Sequence, residues 1–228
     1  RWYASAPRSP RTEFSALKEG LKMVGRFLYL QNSEGPGPAG LLGQLPGHQF
    51  DIVQQYESGR IDWSGYNAVM VSMFSDQVHL SEISDKITAY LDAGGTLIIN
   101  GHIARPFLPS LSRYEPMEKR GLAELVIHRE TEHPAFGNMD TERMYRRCGV
   151  AGFYGRGSNP PPEGATVLHS VGPDHVAVDW IYDRPTGGRI FVHSGVELWM
   201  FLAGDMGEGP SYLEQFFDWF AATSEIAA

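Results

Sequence analysis

The chain is predicted to fold as an open, mainly parallel α/β sheet with helices on both faces and an antiparallel extension. Three observations lead there. The apolar runs "AVMV" (68–71) and "TLII" (96–99) lack the alternation of a half-exposed strand. Such runs are expected where helices cover both sides of a parallel sheet. A stretch with helical spacing separates them. Beyond Pro106 the pattern changes to short strands joined by "GPDH" and "RPTGG", turns that suit antiparallel hairpins.

Each element has its own local reason. Residues 1–12 are rich in Pro and Arg and lack periodicity, so they read as a surface arm. Phe14, Leu17, Leu21 and Val24 recur at helical spacing and suggest a lead-in helix. The expected organisation is therefore an arm and lead-in helix over 1–25, then a single domain over 26–228. "RFLYLQ" (26–31) is the first strand, and the Gly and Pro of "NSEGPGPAG" end it. "AGLLGQL" is a short helix, "FDIVQQYES" a second strand, and Ala68 to Met73 the centre of a third.

In "HLSEISDKITAYLDAGG", Leu80, Ile83, Ile87 and Leu91 form one apolar stripe. Ser81 is the expected N-cap, and Gly94 or Gly95 supplies the left-handed stop. "TLIIN" follows as the fourth strand. Four further strands are expected in "LAELVIHRE", "GATVLHSVG", "VAVDWIYDR" and "GRIFVHSG". The closing helix "SYLEQFFDWFAAT" begins with a capping box of Ser211 and Glu214. It buries Leu213, Phe216, Phe217 and Phe220.

Composition removes several classes of function. With 19 Lys and Arg against 27 Asp and Glu, the formal charge is −8, which argues against nucleic-acid binding. One cysteine, Cys148, excludes an intrachain disulfide framework and fits a reducing, cytoplasmic location. No apolar run reaches the roughly 18–20 residues that cross a bilayer. No P-loop and no G-x-G-x-x-G follows the first strand, and the histidines form no H-x-H or H-E-x-x-H pair. Neither a cofactor nor a metal is expected.

In open α/β sheets, ligands bind beyond the carboxyl ends of the strands. Asn32 and Glu34 follow the first strand, and Asp76 follows the third. The fourth runs into the Gly101–His102 corner with Arg105 beyond, and the last delivers His193 and Glu197. His102, after a glycine that permits a tight turn, suits a general base, a metal ligand or an anion donor. It equally suits a histidine that satisfies buried backbone groups. Arg105 suits an anion clamp. His193 and Glu197 suit a base and its orienting partner if Gly195 bends the chain, since four extended residues span about 13 Å. His133, before a proline, reads as locally structural, and Cys148 as a small core residue.

The order strand, Gly-Pro loop, "YNAVMVSMF", helix ending "YLDAGG", then "TLIINGHIA" resembles the class I glutamine-amidotransferase-like fold. Within it, "HIA" (102–104), "EHPAFGNMDTERMY" and "TGGRIFVHSG" are similar to the trehalose-utilisation (ThuA-like) branch. The resemblance runs from Arg26 to Leu202. It implies a flavodoxin-like fold and a link to sugar metabolism. True amidotransferases of this fold carry a cysteine at the corner and a His-x-Glu on the last strand. Here the corner holds Gly101 and His102 and the late pair stands in "HSGVE", so glutaminase chemistry is not expected.

The expectation is a strand-end cleft that binds or converts a small polar, carbohydrate-derived molecule. His102 would be base or donor, assisted by Glu34 or Glu197, with His193, Asn32, Asp76 and Arg105 around it. The alternative is a non-catalytic interaction domain. It would use the aromatics Trp199, Phe216, Phe217, Trp219 and Phe220, or an N-terminal arm that reaches another subunit or a protein partner.

Overall fold

The structure is a computed structural model that describes residues 25–35, 37–119, 121–203 and 211–224. The predicted arm and nearly all of the lead-in helix lie outside the described residues. The first half supplies β1 (Gly25–Gln31), α1 (Ala39–Leu42), β2 (His48–Gln54), β3 (Ala68–Val71), α2 (Gln77–Glu82), α3 (Ser84–Asp92) and β4 (Thr96–Asn100). The second half begins with β5 (Glu115–Pro116), β6 (Ile127–Arg129), α4 (Thr141–Tyr145), β7 (Arg146–Arg147), β8 (Val150–Ala151) and β9 (Gly157–Ser158). It ends with β10 (Thr166–Val171), β11 (Val176–Asp183), β12 (Arg189–His193), α5 (Trp199–Leu202) and α6 (Leu213–Thr223).

Eight strands form one sheet in the order β2-β1-β3-β4-β12-β11-β10-β6. The pairs from β2 to β12 are parallel, and β11, β10 and β6 add on antiparallel. This is the open, mainly parallel α/β sheet with an antiparallel extension expected from the patterning. Its parallel part has the flavodoxin-like order, which doubles back between β1 and β3.

Both faces are covered, so every residue of β3 and of β4 is buried. On one face Leu28, Val69, Leu97 and Val192 meet Leu80, Ile87 and Leu91 of α2 and α3. On the other, Phe27, Met70, Ile98 and Phe191 meet Phe216, Phe217 and Phe220 of α6. Phe217 packs edge-on against Phe27 with ring centres 4.9 Å apart. The predicted apolar face of the last helix is therefore the layer that closes this side of the core.

Three local expectations are corrected. The helix predicted after residue 80 starts a turn earlier and breaks at Ile83 into α2 and α3. Its N-cap is Asp76, which accepts from the amides of Val78 and His79 at 2.9 and 3.3 Å. Ser81 lies inside α2, where its hydroxyl donates back to the Gln77 carbonyl at 2.7 Å. At the last helix, Ser211 Oγ accepts from the Leu213 amide at 3.3 Å, but Tyr212 holds the N-cap position and Glu214 does not close the box. The first half of "LAELVIHRE" is a 3-10 turn, Leu122–Leu125, and only Ile127–Arg129 joins the sheet. The stop after α3 is as expected: Gly94 takes φ +91°, and its amide donates to the Leu91 carbonyl at 2.9 Å.

Candidate functional site

The reversal of strand order leaves a crevice at the carboxyl ends of β1 and β3. A cavity of about 470 Å³ lies there, lined by Tyr29, Asn32, Ser72, Phe74, Glu197 and Trp199 among others. Tyr29 comes from β1, Ser72 and Phe74 from the exit of β3, and Glu197 and Trp199 from the segment after β12. Asn32 bridges the two loops by donating from Nδ2 to the Phe74 carbonyl at 3.0 Å.

Glu197 is the most constrained group of this cleft. Its Oε1 accepts from the Ser72 hydroxyl at 2.6 Å and the Met73 amide at 2.9 Å, with the Tyr29 hydroxyl at 3.5 Å. Oε2 is buried without a partner. Asn100 at the end of β4 holds the segment by accepting from the Leu198 amide at 3.0 Å. Burial pushes the Glu197 carboxyl up to about 7, against the opposing pull of the Ser72 and Met73 hydrogen bonds and of His193. A carboxyl that gains and loses its proton near neutrality, inside a cavity, is suited to acid–base work.

His193 is fully buried, and its orienting partner is Asp179 rather than Glu197. Register places Asp179 of β11 opposite His193 of β12, and Oδ1 meets Nδ1 at 2.6 Å. The other oxygen, Oδ2, meets His169 Nδ1 at 2.8 Å and accepts from the Tyr154 hydroxyl at 2.5 Å. Burial alone would favour the neutral acid at Asp179. The attraction of His193 and hydrogen bonds from both histidines outweigh it and hold the carboxyl far below its usual range. Nε2 of His169 and of His193 are buried with no partner.

His102 stands at the predicted glycine corner but outside the Glu197 cleft. Its ring stacks on Tyr114 with centres 3.6 Å apart and planes 13° apart. Partial enclosure, and His193 beneath, lower its proton affinity. Among the described residues no carboxylate bonds to its ring, so neither Glu34 nor Glu197 serves as its partner. The corner needs Gly101, whose φ is +92° and whose missing Cβ would lie 2.7 Å from Met73 Cα. Buried Asn159 pins it: Oδ1 accepts from the Ile103 amide and Nδ2 donates to the Gly101 carbonyl, each at 2.8 Å.

The remaining predicted residues lie apart. Glu34 and Arg105 are exposed, and the Arg105 amide donates to Gln77 Oε1 at 2.8 Å. Asp76 caps α2 and accepts from the Tyr56 hydroxyl at 3.0 Å, which is a structural use of its carboxylate. Cys148 is exposed with φ +48°, not a core residue. The structure thus brings Asn32 and Glu197 together and leaves His102, His193, Glu34, Asp76 and Arg105 elsewhere. Tyr29, Ser72, Asp179, His169 and Tyr154 do not stand out in the sequence as site residues, and Trp199, expected on an interaction surface, lines the cleft instead. The one signal for the buried cluster is compositional, an Asp and a His standing inside the apolar strands "VAVDWIYD" and "TVLHSV".

Fold and site together define an open α/β protein of flavodoxin-like strand order with a carboxyl-bearing cleft at the switch point. No family model matches the chain, and no curated protein matches it. Among solved structures, the mmIFT52 N-terminal domain is similar at 12% identity and a TM-score of 0.45, covering 86% of this chain and 97% of that one. A cold-adapted beta-galactosidase from Rahnella sp. R3 is similar at 15% identity and a TM-score of 0.47, covering 86% of this chain and 30% of that one. These likenesses are too distant to bear on function.

Proposed function

We propose that this protein binds a small polar, carbohydrate-derived molecule in the β1/β3 cleft and moves a proton on it through Glu197. The observation behind this reading is the unpartnered, buried Oε2 of a carboxyl that titrates at about 7 and lines the cavity. Exposed Phe74 offers an aromatic ring to a sugar, the buried Tyr29 and Trp199 form part of the cavity lining, and Ser72 and Asn32 add polar edges. The motif order that resembles the ThuA-like branch supports a sugar-derived ligand and membership of that branch. Glutaminase chemistry is not part of the reading, since the corner holds Gly101 and His102 and Cys148 lies on the surface after α4.

A thermal-shift screen against sugars, keto-sugars and sugar acids tests it. A ligand at a hundred times its dissociation constant adds about 2.7 kcal/mol, or a shift of roughly 5–11 °C for a chain of this size. The shift is expected in wild type and lost in Glu197→Ala. Incubation with a responding keto-sugar in heavy water then reads proton exchange beside the carbonyl, which Glu197→Gln abolishes.

A second reading, a non-catalytic protein-interaction domain, has one observation in its favour. Phe74 and Met200 on the cleft rim are 63% and 39% exposed. The aromatics first considered for such a surface are spent in the core: Trp199, Phe216, Phe217 and Phe220 are buried and Trp219 is partly so. A screen with no shift from any compound favours this second reading.

A further inference from the structure

Two adjoining hollows lie beside the Gly101–His102 corner, outside the Glu197 cleft. One, of about 330 Å³, is floored by Gly101, Gly152, Gly155 and Gly195 and walled by His102 and Arg156 among others. The other, of about 270 Å³, shares His102 and Arg156 and adds Tyr114 and Lys119. Among the described residues neither hollow is lined by a carboxylate. That is unusual on a chain whose acidic residues outnumber its basic ones by 27 to 19. The acidic side chains of this region, Glu115, Glu118, Glu124 and Asp174, line a neighbouring hollow that shares Pro116, Met117 and Lys119 with the second.

We propose that these hollows form a binding site for a small phosphorylated molecule, with Arg156 and Lys119 on its phosphate. Four glycines in one floor present backbone with no Cβ, which lets a ligand approach the chain closely. The Arg156 guanidinium is positioned for it. Its Nε donates to the Gly152 carbonyl at 2.9 Å, which fixes the plane of the fork and leaves the terminal nitrogens for an oxyanion. Two cations suit a dianion better than a single carboxylate. His102 is held flat against Tyr114, so its ring edge adds a fixed polar donor, and half-exposed Phe153 offers an apolar wall to the rest of the ligand.

Against Gly195, on the side of the core, stands His193. Its side chain is wholly buried, and its Nε2 has no partner. A Cβ on Gly195 would stand 2.6 Å from that nitrogen. His193 lines neither hollow itself, and Gly195 is the residue that stands between this unpartnered nitrogen of the Asp179–His193 pair and the first of them. This site stands apart from the Glu197 cleft and does not depend on the function proposed for it.

Calorimetric titration with inorganic phosphate, glucose 6-phosphate and glucose tests the proposal on wild type, Arg156→Gln, Lys119→Gln and Arg113→Gln. Arg113 is exposed and lines neither hollow. The expected result is saturable binding of both phosphates. It is weakened at least tenfold by Arg156→Gln, several-fold by Lys119→Gln, and less than twofold by Arg113→Gln. All three positions are exposed, and melting curves that match wild type establish that each variant is folded. No saturable binding of either phosphate overturns the proposal. So does equal weakening by all three variants, which would mean loss of general charge, or binding of glucose as tight as that of glucose 6-phosphate.

Discussion

The Ser72 hydroxyl donates to Oε1 of Glu197 across 2.6 Å, joining residues 125 positions apart. This contact ties the exit of β3 to the segment after β12 and sets a carboxyl at the switch point of the sheet. Its other oxygen faces no protein donor. The group is thus anchored through one oxygen, while the other is buried without a partner beside the cavity.

Glu197→Gln should remove a pH dependence of stability near neutrality. The folded carboxyl titrates at about 7 and the unfolded one near 4.5, so folding favours the protonated form. That contribution is complete below the unfolded value and is lost as pH rises through the folded one. The difference corresponds to about 3 kcal/mol. Urea unfolding at about pH 5 and about pH 8 should show wild type losing most of this amount, about 2.5 kcal/mol, relative to the glutamine variant. An unchanged difference would mean that the carboxyl is ionised throughout.

Asp179→Asn should act in the opposite direction. The folded carboxyl is held far below its unfolded value of 3.8, so its contribution is present above that value and disappears as pH falls below it. Breaking a buried charge network of this kind costs about 3–5 kcal/mol. Denaturation at neutral pH should reveal that loss. Acid titration should show the gap narrowing below about pH 4.

Gly195→Ala should be severe for a steric reason. The added Cβ would stand 1.7 Å from the Tyr154 carbonyl oxygen, backbone that cannot swing aside. Overpacking costs about 1–3 kcal/mol when neighbours can shift, and this contact lies at or above that range. Gly40→Ala, where nothing lies within 4 Å, is the control and should melt within a few degrees of wild type. Similar melting of both variants would show that the turn after β12 relaxes.

Asn159→Ala should loosen the glycine corner. It removes the acceptor of the Ile103 amide and the donor to the Gly101 carbonyl, both buried. Unpaired buried groups cost about 1–3 kcal/mol each, so a loss of about 2–4 kcal/mol is expected. Amide hydrogen exchange should show lost protection at Ile103 while the centre of β4 stays protected.

The amino-acid sequence by itself determined the fold class and the main strands of the sheet, but not the short elements between β4 and β10. Continuous apolar runs at 68–71 and 96–99 announced buried parallel strands, "GPDH" and "RPTGG" announced the antiparallel end, and Phe216, Phe217 and Phe220 announced the face that α6 buries. These signals are local, because side-chain periodicity and turn chemistry act over a few neighbouring residues. It also placed Asn32 and Glu197 among the cleft candidates, since strand ends are where ligands bind. Only the tertiary structure decided the pairings. His193 faces Asp179 because β12 pairs antiparallel with β11, and Glu197 reaches Ser72 because the segment after β12 lies against the exit of β3, two strands away in the sheet. Strand register and crossovers join positions that no local pattern links, so the same histidine and glutamate that stand close in sequence serve two different networks in the fold.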